Sequence, residues 1–177
     1  VTVNATPAGG YAVESIAVNG GAVTVTGNTF VMPAEPVVVT VTFAEHVGSN
    51  LIISEVTDPA DVSNAKFVEI YNAGGASIDL SAGQWYLSRQ ANGGNWASVA
   101  LTGTVGAAQT HVVIYSASNF TAAYPAATYQ QVSGNVLTGN GDDGYFLYSG
   151  GSNTVGTLED AYGVLNEDGT GKPWEYE

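Results

Sequence analysis

Carboxylates are the one abundant group in this sequence that could do chemistry. Sixteen Asp and Glu stand against three Lys and Arg, for a net charge of −13. The three cations are Lys66, Arg89 and Lys172, and most of the acids share the later part of the chain with them. Acids crowded into loops are neutralised by water or by calcium, which takes six to eight oxygens, some from backbone carbonyls. Three places suit that chemistry. Glu55, Asp58 and Asp61 surround Pro59, with Asn64 close behind; Asp142-Asp143 follow Asn140-Gly141; Glu159-Asp160 and Glu167-Asp168 lie further on. The stretch Asp58–Asn64 lacks the Asp-x-Asp-x-Asp-Gly spacing of an EF-hand loop. The competing account is solvated loop acids, with Asp142 and Asp143 capping their own turn. Glu69 stands apart in Phe67-Val68-Glu69-Ile70-Tyr71, where period two gives it a strand face shared with two aromatics. It is either an exposed or hydrogen-bonded glutamate, or a member of one acidic cluster with Glu55, Asp142 and Asp143. The candidate metal ligands are therefore Glu55, Asp58, Asp61, Glu69, Asp142 and Asp143, and calcium is the one cofactor in view.

Other chemistries lack their residues. Glycoside hydrolysis needs two carboxyls at a set spacing in a sugar-sized cleft, and a chain this acidic offers pairs by chance. His111 opens the run Val112-Val113-Ile114, but no Gly-x-Ser-x-Gly elbow accompanies it. There is no Walker loop, dinucleotide fingerprint or His-Glu-x-x-His. With no cysteine, thiolate zinc sites, disulfides and a cysteine nucleophile are excluded. The expectation is a non-enzyme. Three cations cannot neutralise a phosphate backbone, so no nucleic-acid partner is expected, nor an anionic membrane surface. No apolar run reaches the length of a transmembrane helix.

Residues 90–141 contain no Asp, Glu, Lys or Arg but do hold Trp96, Tyr115, Phe120, Tyr124 and Tyr129. Such a neutral aromatic stretch can stack on sugars or dock a protein. Trp96, Tyr124 and Tyr129 are the candidate ligand surface; the alternative is that Trp96 and Tyr115 are core and the rest is long-loop packing. Trp85 and Leu87 share a strand face and are expected in the core.

The elements that must position these groups read as all-β. The chain has 23 Val, 6 Ile and 17 Thr, whose branched Cβ favours pleated strands. Its 23 glycines and repeated Asn-Gly steps supply turns. In residues 1–43, Thr6–Gly10 is a turn, and Ala12–Val18 and Ala22–Thr26 form a hairpin across Asn19-Gly20-Gly21. Val37–Phe43 is a strand with its larger side chains on one face. Residues 44–50 are a polar linker in which His46 is solvated. Further strands fall near Leu51–Val56, Lys66–Tyr71, Gln84–Ser88, Ala97–Leu101, Thr110–Tyr115, Asn135–Leu137, Gly144–Tyr148 and Leu158–Tyr162. Short strands at about ten-residue intervals indicate a sandwich or barrel.

Two stretches resemble known modules. Gly10–Gly20, Asn28–Ala34 and Val37–Phe43 are similar to the C-terminal part of the divergent internalin-type B-repeats of bacterial surface proteins. The set Ile52–Val56, Lys66–Asn72, Ile78–Ser81, Gln84–Leu87, Val112–Ile114, Asn140–Leu147, Asp160–Gly163 and Pro173-Trp174 resembles the bacterial lamin-tail domain. The first resemblance implies an extracellular spacer. The second implies an immunoglobulin-like β-sandwich over residues 51–177, often attached to hydrolases or nucleases and not itself catalytic. Val1 begins in mid-pattern, which reads as a piece of a longer, exported protein. The expected function is a non-catalytic binding or tethering module of a bacterial secreted or cell-surface protein. Its expected partners are a protein, a glycan or other domains of its parent. The alternative is a pure spacer beside a catalytic domain.

Overall fold

Alternating branched residues place the strands, and their pairing decides which side chains meet. The computed structural model describes residues 1–5, 11–45, 50–62 and 64–170. The expected turn at Thr6–Gly10, His46 and the Pro173-Trp174 pair lie outside the described residues. The chain divides into two compact units, Val1–Gly48 and Ser49–Glu177.

The first unit holds β1 (Tyr11–Val18), β2 (Val25–Thr26), β3 (Thr29–Phe30) and β4 (Val39–Glu45). The Asn19-Gly20-Gly21 turn does form, with φ of 51°, 64° and 95°, values in the left-handed region. It does not make the expected hairpin. The main partner of β1 is β4, running antiparallel from Val18↔Val39 to Tyr11↔Glu45. Asn19 explains the difference. Its side-chain Oδ1 accepts the Val38 N–H at 2.8 Å, and its own N–H donates to the Val38 carbonyl at 2.9 Å. These bonds hold the turn to the chain entering β4. Only a Val18↔Val23 bridge remains of the expected return pairing, while β2 pairs with β3. Among the described residues of this unit, Val18 and Phe30 are the buried apolar side chains, and Val39 and Phe43 stay exposed.

The second unit is a β-sandwich. Its strands are β5 (Leu51–Thr57), β6 (Phe67–Asn72), β7 (Ile78–Asp79), β8 (Tyr86–Gln90), β9 (Trp96–Ala100), β10 (Thr104–Val105), β11 (Thr110–Ile114), β12 (Gln131–Val132), β13 (Gly144–Ser149) and β14 (Thr157–Tyr162). One sheet runs β12-β11-β6-β5 and the other β14-β13-β8-β9; β10 and β7 form a small third ladder. Leu51, Ile53, Val68, Ile70 and Val113 face Trp85, Leu87, Tyr145 and Leu147 in one core, as expected for Trp85 and Leu87.

Two expectations fail here. Asn135–Leu137 is a turn and not a strand: the Ser133 carbonyl accepts the N–H of both Val136 and Leu137, which drops the two side chains into the core. Ala117–Ala123 is a helix, α1, in a chain read as wholly β. It is too short for a helical period to register, and it buries Phe120 against the outer side of β11 and β6.

Two polar side chains secure the frame. Fully buried Asn72 donates from Nδ2 to the carbonyls of Ala76, Val105 and Gly106, and accepts the Gly74 N–H at 2.9 Å. It thereby holds both loops at its end of the sandwich. The Asp160 carboxylate on β14 accepts the Ile53 N–H on β5 at 2.6 Å, linking an edge of each sheet.

Candidate binding cleft

The outer face of the β12-β11-β6-β5 sheet carries the candidate site. A β-bulge in β5 breaks the register between Ile53↔Ile70 and Glu55↔Glu69. The extra residue resets the alternation, so Glu55 stands opposite Glu69 on the outward face. Ser54 donates its hydroxyl to Glu69 Oε1 at 2.8 Å. No described basic residue pairs with either glutamate. Lys66 bonds Asp58 at 2.9 Å and Arg89 bonds Asp143 at 2.6 Å.

Beside the two acids, α1 raises an aromatic wall. Phe120 packs on Phe67 at 5.7 Å, on Tyr124 at 5.2 Å and on Tyr129 at 5.6 Å between ring centroids. Phe67 and Tyr124 meet edge-on at 5.4 Å. Wall and acids enclose an open cleft of about 310 Å³, lined by Glu55, Glu69, Phe67 and Tyr124, with Thr110 and Thr128 at its polar margin. Its size falls at the small end of ligand pockets.

The other acids go elsewhere. Asp143 is buried, at 3% exposure, and holds Arg89; it also accepts the Asn92 N–H at 3.1 Å. It is an internal counterion and not the expected turn cap. Asp58 and Asp143 line a small recess of about 50 Å³ with Tyr145 and Tyr162. Lys66 also donates to the Gly139 carbonyl. Burial pushes the Tyr145 phenol up to about 12, and its oxygen accepts the Gly139 N–H at 3.2 Å. Asp142 accepts the Thr170 hydroxyl at 3.2 Å, and Asp61 lies exposed on its loop. So of the six candidate ligands Glu55 and Glu69 share the cleft, Asp58 and Asp143 share the recess, and Asp142 and Asp61 line neither. Among the described residues no three His, Asp or Glu side chains gather as a metal-sized group.

The aromatic candidates also divide. Tyr124 lines the cleft, and Tyr129 is 37% exposed next to Phe120. Trp96 lies on the other sheet, half-buried against Phe146 at 5.3 Å and Tyr148 at 6.4 Å. His111 is buried at 2% exposure, and its Nε2 has no partner. The Arg89–Asp143 pair spans 54 residues and has no local signature. The one sequence hint is that Arg89 comes just before a long uncharged stretch.

Fold and cleft together define an immunoglobulin-like β-sandwich module with an open cleft on the outer face of a sheet. The family comparison gives the particular family: the Lamin Tail Domain model matches residues 44–164, and the chain belongs to that family. The Divergent InlB B-repeat domain model matches residues 1–47, in the order the sequence implied. Domains of these two kinds are typically non-catalytic, and the B-repeat suggests a surface or secreted protein. No curated protein matches the chain. Among the described residues no helix is long and apolar enough to cross a membrane.

Proposed function

We propose that this chain is a binding and tethering module of a bacterial secreted or cell-surface protein, and that the cleft under α1 is its binding surface. The observation that carries the reading is the Glu55–Glu69 pair. Two like charges stand opposite each other on neighbouring strands, which costs stability, beside half-buried aromatics that leave room for a ligand. Local rules broken at a cost are where function is sought first. Calcium is the weaker occupant. Beyond two carboxylates and two threonines, the side chains lining the cleft are Phe, Tyr, Val and Ala, which offer a hard cation few oxygens.

The test is an array of extracellular peptides and glycans probed with the whole chain, with and without calcium. Binding that Tyr124→Ala abolishes and Trp96→Ala leaves intact supports the cleft. Binding equally sensitive to both substitutions, or no binding at all, leaves the spacer reading in its place. Binding and melting temperature unchanged by calcium remove the metal from the reading.

A further inference from the structure

The chemistry of the cleft names its occupant more closely. One side is hydrocarbon: Phe67, Phe120 and Tyr124, with Val112 and Ala127. The other is a pair of carboxylates, of which Glu69 accepts the neutral Ser54 hydroxyl. Few groups match both. A sugar offers hydroxyls to the acids but leaves two charges uncompensated. A bare metal ion offers charge but nothing for the aromatic wall. A basic side chain carries an apolar stem that lies along hydrocarbon and a charged head that reaches past it. A guanidinium also presents five donors in a planar fork, enough to serve two carboxylates at once. The rest of the molecule supports the match. With a net charge of −13 its long-range field draws cations in.

We propose that the cleft receives a basic side chain, arginine before lysine, from a partner protein. This rests on the reading of the cleft as the module's binding surface. Glu55 and Glu69 take the charged head, and Phe67 and Tyr124 take the stem.

The test uses a small probe, because a polybasic peptide would bind any chain this acidic. The full chain, labelled with nitrogen-15, is titrated with Nα-acetyl-arginine methylamide and with its neutral isostere, Nα-acetyl-citrulline methylamide. The expected result is a set of amide shifts confined to β5, β6 and α1, produced by the arginine probe and not by the citrulline one. Glu55→Gln with Glu69→Gln should weaken the arginine probe about tenfold or more, since charge-assisted bonds are the strong ones here. Glu14→Gln with Glu35→Gln removes the same charge from exposed sites in the other unit and should change little. The proposal is overturned if citrulline binds as well, if both double variants weaken binding equally, or if calcium chloride alone gives the localised shifts. Chitotriose shifting the cleft where arginine does not would sink this inference while sparing the binding-surface reading. Silence from all four probes, with the array also blank, would remove both.

Discussion

At the scale of single residues, His111 is a lone buried titratable group whose burial ties stability to pH. Burial pushes its imidazole below the ordinary value of 6.5, and its hydrogen bond to the Gln131 side chain offsets this only in part. Protonation would add charge to a site where Nε2 finds no acceptor. The folded state therefore favours the neutral ring. The stability this contributes is present above the unfolded pKa and is lost as pH falls through 6.5 toward the lowered folded value. The melting temperature should fall on acidification from about pH 7.5 to about pH 5.5, before ordinary carboxylates titrate. His111→Asn, which keeps a polar group near Nδ1, should flatten the profile in that window. Thermal melts across a buffer series check this, and an unchanged slope in the variant would place the pH sensitivity elsewhere.

At the scale of elements, the bulge in β5 matters most. Without it, strict alternation would send Glu55 inward with Leu51 and Ile53, because a one-residue slip exchanges the two faces of a strand. With it, two glutamates meet on the outer face at a cost to the fold. Glu55→Gln with Glu69→Gln should therefore raise stability at low salt by about 0.5 kcal/mol, or about 1–2 °C in melting temperature for a chain this long. The gain should shrink as salt screens the pair. Calorimetry at two ionic strengths measures it. A destabilised variant would mean that the pair is held by something the register does not reveal. A more stable variant that binds less well is what a site maintained against stability predicts. These elements also mark how far the sequence could be read. The β class, the core face of Trp85 and Leu87, and the module resemblances were legible because they rest on alternation, composition and ordered motifs. The helix α1 was not, since seven residues carry too little period. The turn at Asn135–Leu137 was not, since an apolar run looks the same whether paired or tucked into a core. Glu55 and Glu69 were recognisable as candidates, but their meeting depends on the bulge. The Arg89–Asp143 pair depends on strand order across 54 residues, which no local pattern encodes.

At the scale of the whole molecule, the two units differ in how each could hold itself together. Ser49–Glu177 has two sheets, a shared core running from Leu51 to Leu147, and internal ties at Asn72, Arg89 and Asp160. Val1–Gly48 offers Val18 and Phe30 as its described buried apolar side chains, and leaves Val31, Met32, Val38 and Phe43 exposed. Below about 40–50 residues a domain with no disulfide or metal rarely buries enough surface to offset its chain entropy, and this chain has no cysteine to help. Separate expression should expose the difference. A chain of residues 49–177 should melt in one cooperative transition with a β-rich circular dichroism spectrum. A chain of residues 1–48 should show no cooperative transition, and its amides should exchange quickly with solvent. A sharp melt for the short piece would mean that its two-stranded ladder and the Asn19 turn suffice, so that the first unit is a self-sufficient spacer. The expected result instead makes the lamin-tail sandwich the stable platform, on which a costly acidic pair can be kept for binding without threatening the fold.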